Sequence, residues 1–223
     1  ILISSEDGMG NKKKANQYFA TGFVSILSIA IILGLIWNYY LQPLCVILGA
    51  NSDTIDLVLE YGKCIMAFAP VFMMSNYFAP IVRNMKNPKL VMCAVLTGSV
   101  LNVILDYVFV FPMDMGMFGA AAATVIGSLT TLLVLSTHFI KKQNRVKINK
   151  ETISLNLLAP IFKCGFSSLI MEVASGFVIF IFNIQILKYI GNNGIVVYGI
   201  ISNCVLVGLA LFNGVAQAAQ PII

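Results

Sequence analysis

The sequence predicts an all-α integral membrane protein with six transmembrane helices. Of its 223 residues, 59% are hydrophobic and 10% are charged, and the mean hydropathy is +0.90. A soluble domain carries about 25% charged residues, whereas a bilayer favours apolar side chains on every face of a helix. The prediction also rests on long apolar segments and on basic residues that are concentrated in alternate loops.

Six apolar segments follow a polar stretch at residues 1–17. A helix needs roughly 20 apolar residues to cross a bilayer, and each segment is long enough; the strands of a barrel would instead alternate polar and apolar residues. The segments cover residues 18–48, 56–82, 89–112, 116–140, 156–188 and 194–223. Prolines within or beside the segments either start a helix or bend one. They are Pro43, Pro70, Pro80 and Pro160.

The basic residues occupy alternate loops. Eleven of the fourteen lie in residues 8–17, 83–89 and 138–155, and the intervening loops contain none. By the positive-inside rule these three basic loops are cytoplasmic, in a multi-pass protein of the cell membrane. The net charge of +5 follows from this topology, so no nucleic-acid partner is expected.

One acidic residue, Asp106, lies inside the third apolar segment, in "LNVILDYVFVF". It is six residues from the outer end, which places it about 9 Å deep. A lone carboxylate at this depth costs on the order of 2 to 3 kcal/mol or more, so it is expected to face a cavity. Asn102 lies four residues earlier, on the same helix face.

Thr124 is predicted to join this pair. Asp106 lies nine residues before Met115, at the centre of the outer turn, and Thr124 lies nine residues after it, so a tight hairpin returns both to one depth. The small residues of 116–124 let the helices approach closely. These oxygen donors suit Na⁺, and Asp106 can alternatively hold a proton. Geometry also allows a hydrogen bond between Asp106 and Asn102 that serves only helix packing.

Glu172, in "SSLIMEVASGF", is like Asp106 an acidic residue well inside a span, near mid-membrane. An intramembrane carboxylate indicates a functional site by default. The alternative is a water-exposed acid in an open vestibule, without a role in coupling.

Two other classes of membrane protein, an intramembrane enzyme and a scaffold, predict different residues in the spans. An intramembrane enzyme needs a catalytic pair or a metal motif. The interior of the spans holds Asp106 and Glu172, with His138 near the end of one span, in no such arrangement. No catalytic residue, bound metal beyond Na⁺, or cofactor is therefore expected. A membrane scaffold without transport activity would tolerate the loss of Asp106.

Several motifs resemble the multidrug and toxic compound extrusion (MATE) family, and within it the bacterial multidrug-resistance subgroup. The most specific are R-N-x-x-N-P-K at 83–89 and L-N-x-x-L-D at 101–106, with G-A-A-x-A-T at 119–124. "MEVASGFVIFIFNIQILKYIGNNG" and "FNGVAQAAQPII" resemble the family's seventh and eighth helices. The resemblance covers nearly the whole chain.

The resemblance implies part of a twelve-helix transporter with two lobes. Residues 1–140 would be the remainder of the amino-terminal lobe, from the end of helix two through helix six. Residues 141–155 would be the cytoplasmic lobe linker, and 156–223 would be helices seven and eight of the second lobe. Because the chain opens with Ile1 rather than methionine, we expect a piece of a longer protein.

The resemblance also implies a function: export of small organic, often cationic drugs in exchange for Na⁺ or H⁺, by alternating access between the lobes. Asn102, Asp106 and Thr124 match the family's cation site, whose further carboxylate belongs on helix one. Glu172 matches an acidic residue implicated in substrate or proton coupling. The partners implied are the drugs and the lipid bilayer, with the coupling ion and the oligomeric state left open.

An alternative within transport is a lipid-linked oligosaccharide flippase of the same superfamily. Such a protein would carry a large, strongly basic groove. The spans here contain few Arg or Lys residues, which favours the drug exporter.

Overall fold

The computed structural model describes residues 2–52, 54–140 and 153–219, and within them every regular element is a helix. The helices are α1 (Leu2–Gly8), α2 (Lys12–Ile47), α3 (Ile55–Ala67), α4 (Ala69–Asn84), α5 (Pro88–Val110), α6 (Gly116–Ile140), α7 (Leu158–Tyr189) and α8 (Asn192–Ala219). A 3-10 turn, Leu155–Leu157, precedes α7. Five helices are long and apolar enough to cross a membrane, or six if the bent pair α3–α4 is one span. The predicted all-α membrane fold is confirmed.

The first spanning helix begins earlier than its apolar segment does. α2 starts at Lys12, so the three lysines form its first turn rather than a loop. Glu6 explains why the chain turns here: its carboxylate accepts a hydrogen bond from Asn11 Nδ2 at 3.2 Å and pairs with Lys14 Nζ at 3.1 Å. These two contacts join the end of α1 to the start of α2.

The second predicted span consists of two helices. α3 ends at Ala67 and α4 begins at Ala69, and their axes differ by 55°. Pro70 accounts for the break, because it has no N–H for the carbonyl of Met66 and its ring clashes with a straight helix. Gly34 of α2 lies against that carbonyl: a Cβ at Gly34 would be 3.0 Å from Met66 O.

The other three prolines predicted to start or bend a helix do not break one. Pro43 and Pro80 lie inside α2 and α4, and Pro160 lies in the first turn of α7. Proline is tolerated in membrane helices because neighbouring groups satisfy the freed carbonyl.

The packed core is formed by α2, α4, α5 and α6. Its buried members are Phe19, Met74, Phe78, Ile81, Val82, Val91, Ala94 and Leu135. Aromatic rings join three of these helices: the centroid of Phe78 lies 4.6 Å from that of Phe139 and 6.0 Å from that of Phe23. This core gives α5 and α6 a rigid support.

α7 and α8 pack more loosely than the first six helices. α7 has no buried residue, and its main contacts are with α8, α2 and the 3-10 turn. At the start of this region the backbone N–H of Ser154 donates to Oγ1 of Thr21, at 3.1 Å. Most of the predicted lobe linker, residues 141–152, lies outside the described residues, as does the end of the last segment, residues 220–223.

Candidate functional site

The candidate site lies in the hairpin formed by α5 and α6. Asn87 begins α5 by accepting a hydrogen bond from the backbone N–H of Leu90, at 3.4 Å. The turn between α5 and α6 is tight because Asp114 and Gly116 adopt left-handed backbone conformations, with φ of 50° and 54°. The N–H of Met115 then bonds the carbonyl of Phe109 at 2.9 Å. The chain is thereby turned directly back on itself.

Glycines set how closely the two helices approach. A Cβ at Gly127 would lie 2.7 Å from the carbonyl oxygen of Gly98 and 2.9 Å from Cβ of Asn102. Nearer the turn, a Cβ at Gly119 would lie 2.9 Å from Cβ of Phe109. Small residues thus allow the approach, and it extends deeper than the predicted stretch 116–124.

Asn102 and Thr124 meet across this interface. Nδ2 of Asn102 donates to Oγ1 of Thr124 at 3.4 Å, and the Thr124 hydroxyl donates to the carbonyl of Ala120 at 3.0 Å. One of the two amide hydrogens of Asn102 is therefore directed at α6. Two of the predicted site residues are in contact.

Asp106 lies one helical turn closer than Asn102 to the turn between α5 and α6, between the Asn102–Gly127 contact and the Phe109–Gly119 contact. It therefore faces the alanine-rich part of α6. Its Oδ1 atom is buried and has no hydrogen-bond partner among the described residues. Buried polar atoms are rarely left unpaired, and each exception calls for an explanation such as an ion or a catalytic role.

The hairpin can supply one carboxylate and two neutral oxygen-bearing groups. A hard cation takes such ligands, and a proton needs only the carboxylate. A purely structural bond from Asn102 to Asp106 would satisfy Oδ1, but Oδ1 has no partner among the described residues, and one hydrogen of Asn102 Nδ2 goes to Thr124.

Glu172 lies elsewhere. Its side chain is exposed on α7, and α7 packs mainly against α2 and α8 rather than against the hairpin. Among the described residues, the fold therefore groups Asn102 with Thr124 and places Asp106 on the same face, while Glu172 stands apart.

Two features of the structure were not identified from the sequence. The close contact of Gly98 with Gly127 could have been found from the matching Gly-Ser pairs in "LTGSV" and "VIGSL". Asn84 is part of the R-N-x-x-N-P-K motif but was given no role. Its Oδ1 atom, like that of Asp106, is buried without a hydrogen-bond partner in the described part of the chain.

Comparison with known proteins agrees with the resemblance found in the sequence motifs. The MatE family model matches residues 1–108. A multidrug export protein, MepA of Staphylococcus aureus, is 30% identical over 217 residues, which are 94% of this chain and 48% of that protein.

Two solved structures of MATE family multidrug-resistance transporters have the same fold. The outward-facing structure gives a TM-score of 0.85 at 23% identity, covering 99% of this chain and 50% of the other. The inward-facing structure gives 0.83 at 24% identity, covering 88% and 46%. The chain spans about half the length of the relatives it matches. It is a multi-pass membrane protein whose sequence and fold are similar to those of MATE family members.

Proposed function

We propose that the native protein exports small organic drugs across the cell membrane, in exchange for Na⁺ or H⁺ bound at Asp106. The similarity to a named multidrug export protein extends over 94% of the chain. The observation that carries the coupling proposal is the buried Oδ1 atom of Asp106, which lacks a partner among the described residues.

The proposed mechanism is alternating access. A bare buried carboxylate is unfavourable, and a bound cation or proton removes that penalty. Loading of Asp106 therefore stabilises the arrangement of lobes in which the hairpin holds the ion best. Drug binding favours the other arrangement, since coupling requires each ligand to have different affinities for the two states.

Three further side chains have proposed roles. Asn102 and Thr124 supply neutral oxygens beside the carboxylate if the ion is Na⁺, and they position the hairpin if it is H⁺. Glu172 takes part in substrate or proton coupling from the second lobe. The basic loops at 8–17, 83–89 and 138–155 face the cytoplasm, which defines the direction of export. No step of this mechanism makes or breaks a covalent bond of the drug, so the protein acts as a transporter rather than an enzyme.

Drug efflux from proteoliposomes tests this proposal. We expect native protein to export a fluorescent organic cation when a Na⁺ gradient or an H⁺ gradient is imposed. Asp106→Asn should lower the gradient-driven rate at least about ten-fold. A neutral amide neither attracts a cation nor binds a proton as a carboxylate does, and the loss of one such interaction costs roughly 1.4 kcal/mol or more.

Asp114→Asn is the matched control. Asp114 undergoes the same chemical change, is exposed in the outer turn, and has a positive φ that asparagine tolerates. We expect this variant to transport at the native rate. Gradient-driven efflux by Asp106→Asn equal to that of Asp114→Asn would contradict the proposal.

A further inference from the structure

A cavity lies away from the hairpin. Its volume is about 560 Å³, and its wall is formed by α1, α2, α4 and the start of α7. Of the described residues that line it, none belongs to α5 or α6. Binding sites for drug-sized molecules have volumes of roughly 300 to 1,000 Å³, so the cavity can hold one.

The polar groups of this cavity present hydrogen-bond acceptors. Nδ2 of Asn76 donates to the carbonyl of Phe72 at 3.0 Å, and the hydroxyl of Tyr77 donates to the carbonyl of Phe19 at 2.8 Å. Both side chains line the cavity. The hydroxyl hydrogen of Tyr77 and one of the two amide hydrogens of Asn76 are used on the backbone, and the oxygen atoms of both side chains remain to accept bonds from a ligand.

Two more lining residues have the same character. Asn84 has a buried Oδ1 atom with no hydrogen-bond partner among the described residues, and it lies in the cavity wall. Asp7 is the one formally charged side chain among the described lining residues. The rest of the wall is mostly apolar, and Tyr18 adds a second aromatic ring. An acceptor-rich, apolar cavity with one carboxylate favours a cation that carries hydrogen-bond donors.

The position of the cavity suits uptake from the cytoplasm. Asp7 directly precedes the basic stretch 8–17, and Asn84 lies in the basic loop 83–89. The α7 part of the wall, which includes Gly165, follows the lobe linker. All three connections are those that the charge distribution assigns to the cytoplasmic side.

We propose that this cavity is a loading site on the cytoplasmic side for organic cations with N–H donors, which bind between α4 and the start of α7 before they are exported. The inference rests on the proposed export function and adds a location, a ligand chemistry and named residues. It places the drug and the coupling ion on different helices.

Binding of two cations to purified native protein tests the ligand chemistry. Ethidium is a planar cation with two amino groups, whereas tetraphenylphosphonium is a cation of similar size without any N–H or O–H donor. Asn76→Leu removes one acceptor and should weaken ethidium binding about ten-fold, the effect of losing one hydrogen bond to a charged group. Tetraphenylphosphonium affinity should stay within about two-fold, which also shows that the variant is folded.

The size of the cavity is tested at Gly165. A Cβ at this position meets no atom within 4 Å, so Gly165→Ala should bind both cations like the native protein. Gly165→Phe fills the space and should weaken both. Unchanged ethidium affinity in Asn76→Leu, equal loss of both cations in that variant, or native affinities in Gly165→Phe would each overturn the proposal.

The same proteins distinguish this inference from the export function. If the export function is wrong, native protein moves neither cation across proteoliposome membranes under any ion gradient, and the loading site falls with it. If only the loading site is wrong, native protein transports ethidium and the Asn76→Leu and Gly165→Phe variants bind and transport it equally well.

Discussion

At the scale of single residues, the properties of the hairpin site depend on which hydrogen bonds its side chains donate and accept. Asn102 directs one of its two amide hydrogens to Thr124, and Oδ1 of Asp106 receives no hydrogen bond from the described residues. The sequence predicts the depth and the common face of Asn102 and Asp106, because both follow from spacing along one helix. The hydrogen-bond direction depends on rotamers and on the neighbouring helix, and spacing carries no information about either.

Thr124→Val tests the contribution of the hydroxyl. Valine keeps the shape of threonine but gives Asn102 no acceptor and a cation no oxygen. We expect the half-saturating concentration of the coupling ion to rise about ten-fold, the effect of roughly 1.4 kcal/mol. Ion-dependent efflux in proteoliposomes measures this value.

Thr130→Val is the control for this change. Thr130 lies on the same helix, and its hydroxyl bonds the carbonyl of Ile126 within that helix. The half-saturating ion concentration of the Thr130→Val variant should match that of native protein. Equal values for Thr124→Val and Thr130→Val would show that the Thr124 hydroxyl has no part in ion binding.

At the scale of elements, hydropathy predicts the existence and order of the helices, and glycine and proline decide their details. The six apolar segments correspond to α2, the pair α3–α4, and α5 to α8. The break at Phe68 could not be derived, because Pro43 and Pro80 occur inside helices that continue. A proline permits a bend, and the packing of its neighbours determines whether one forms.

Gly127→Ala tests the close approach of α5 and α6. The added Cβ would collide with the backbone of Gly98, so the helices must separate. Overpacking of this kind costs about 1 to 3 kcal/mol. We expect a lower thermal unfolding temperature in detergent, together with slower ion-driven efflux because Asn102 moves.

Gly208→Ala provides the comparison, since a Cβ at Gly208 meets no atom within 4 Å. It should unfold at the native temperature. If Gly127→Ala unfolds at the same temperature as Gly208→Ala, the helices do not pack through glycine as described.

At the scale of the whole molecule, the amino-terminal part forms a packed unit while α7 and α8 leave their apolar faces exposed. Such faces suit contact with lipid or with further helices. The charge distribution adds an orientation that the packing alone does not provide, because only the basic loops distinguish the two sides of the membrane.

Labelling of single cysteines tests this orientation, after the five native cysteines are replaced by serine. Lys86 and Asp114 are both exposed and have positive φ, but they lie at opposite ends of α5. A membrane-impermeant maleimide should label Asp114→Cys in intact cells and Lys86→Cys only after the membrane is opened. The reverse pattern would invert the proposed direction of export.

The central claim is that Asp106 binds the coupling ion, and ion binding at equilibrium tests it most directly. Radioactive sodium measures bound Na⁺ on the purified native protein, and proton uptake in weakly buffered solution measures bound H⁺. We predict that native protein and Asp114→Asn bind one of these ions with the same stoichiometry, and that Asp106→Asn binds one fewer. Undiminished binding of both ions by Asp106→Asn would contradict the account.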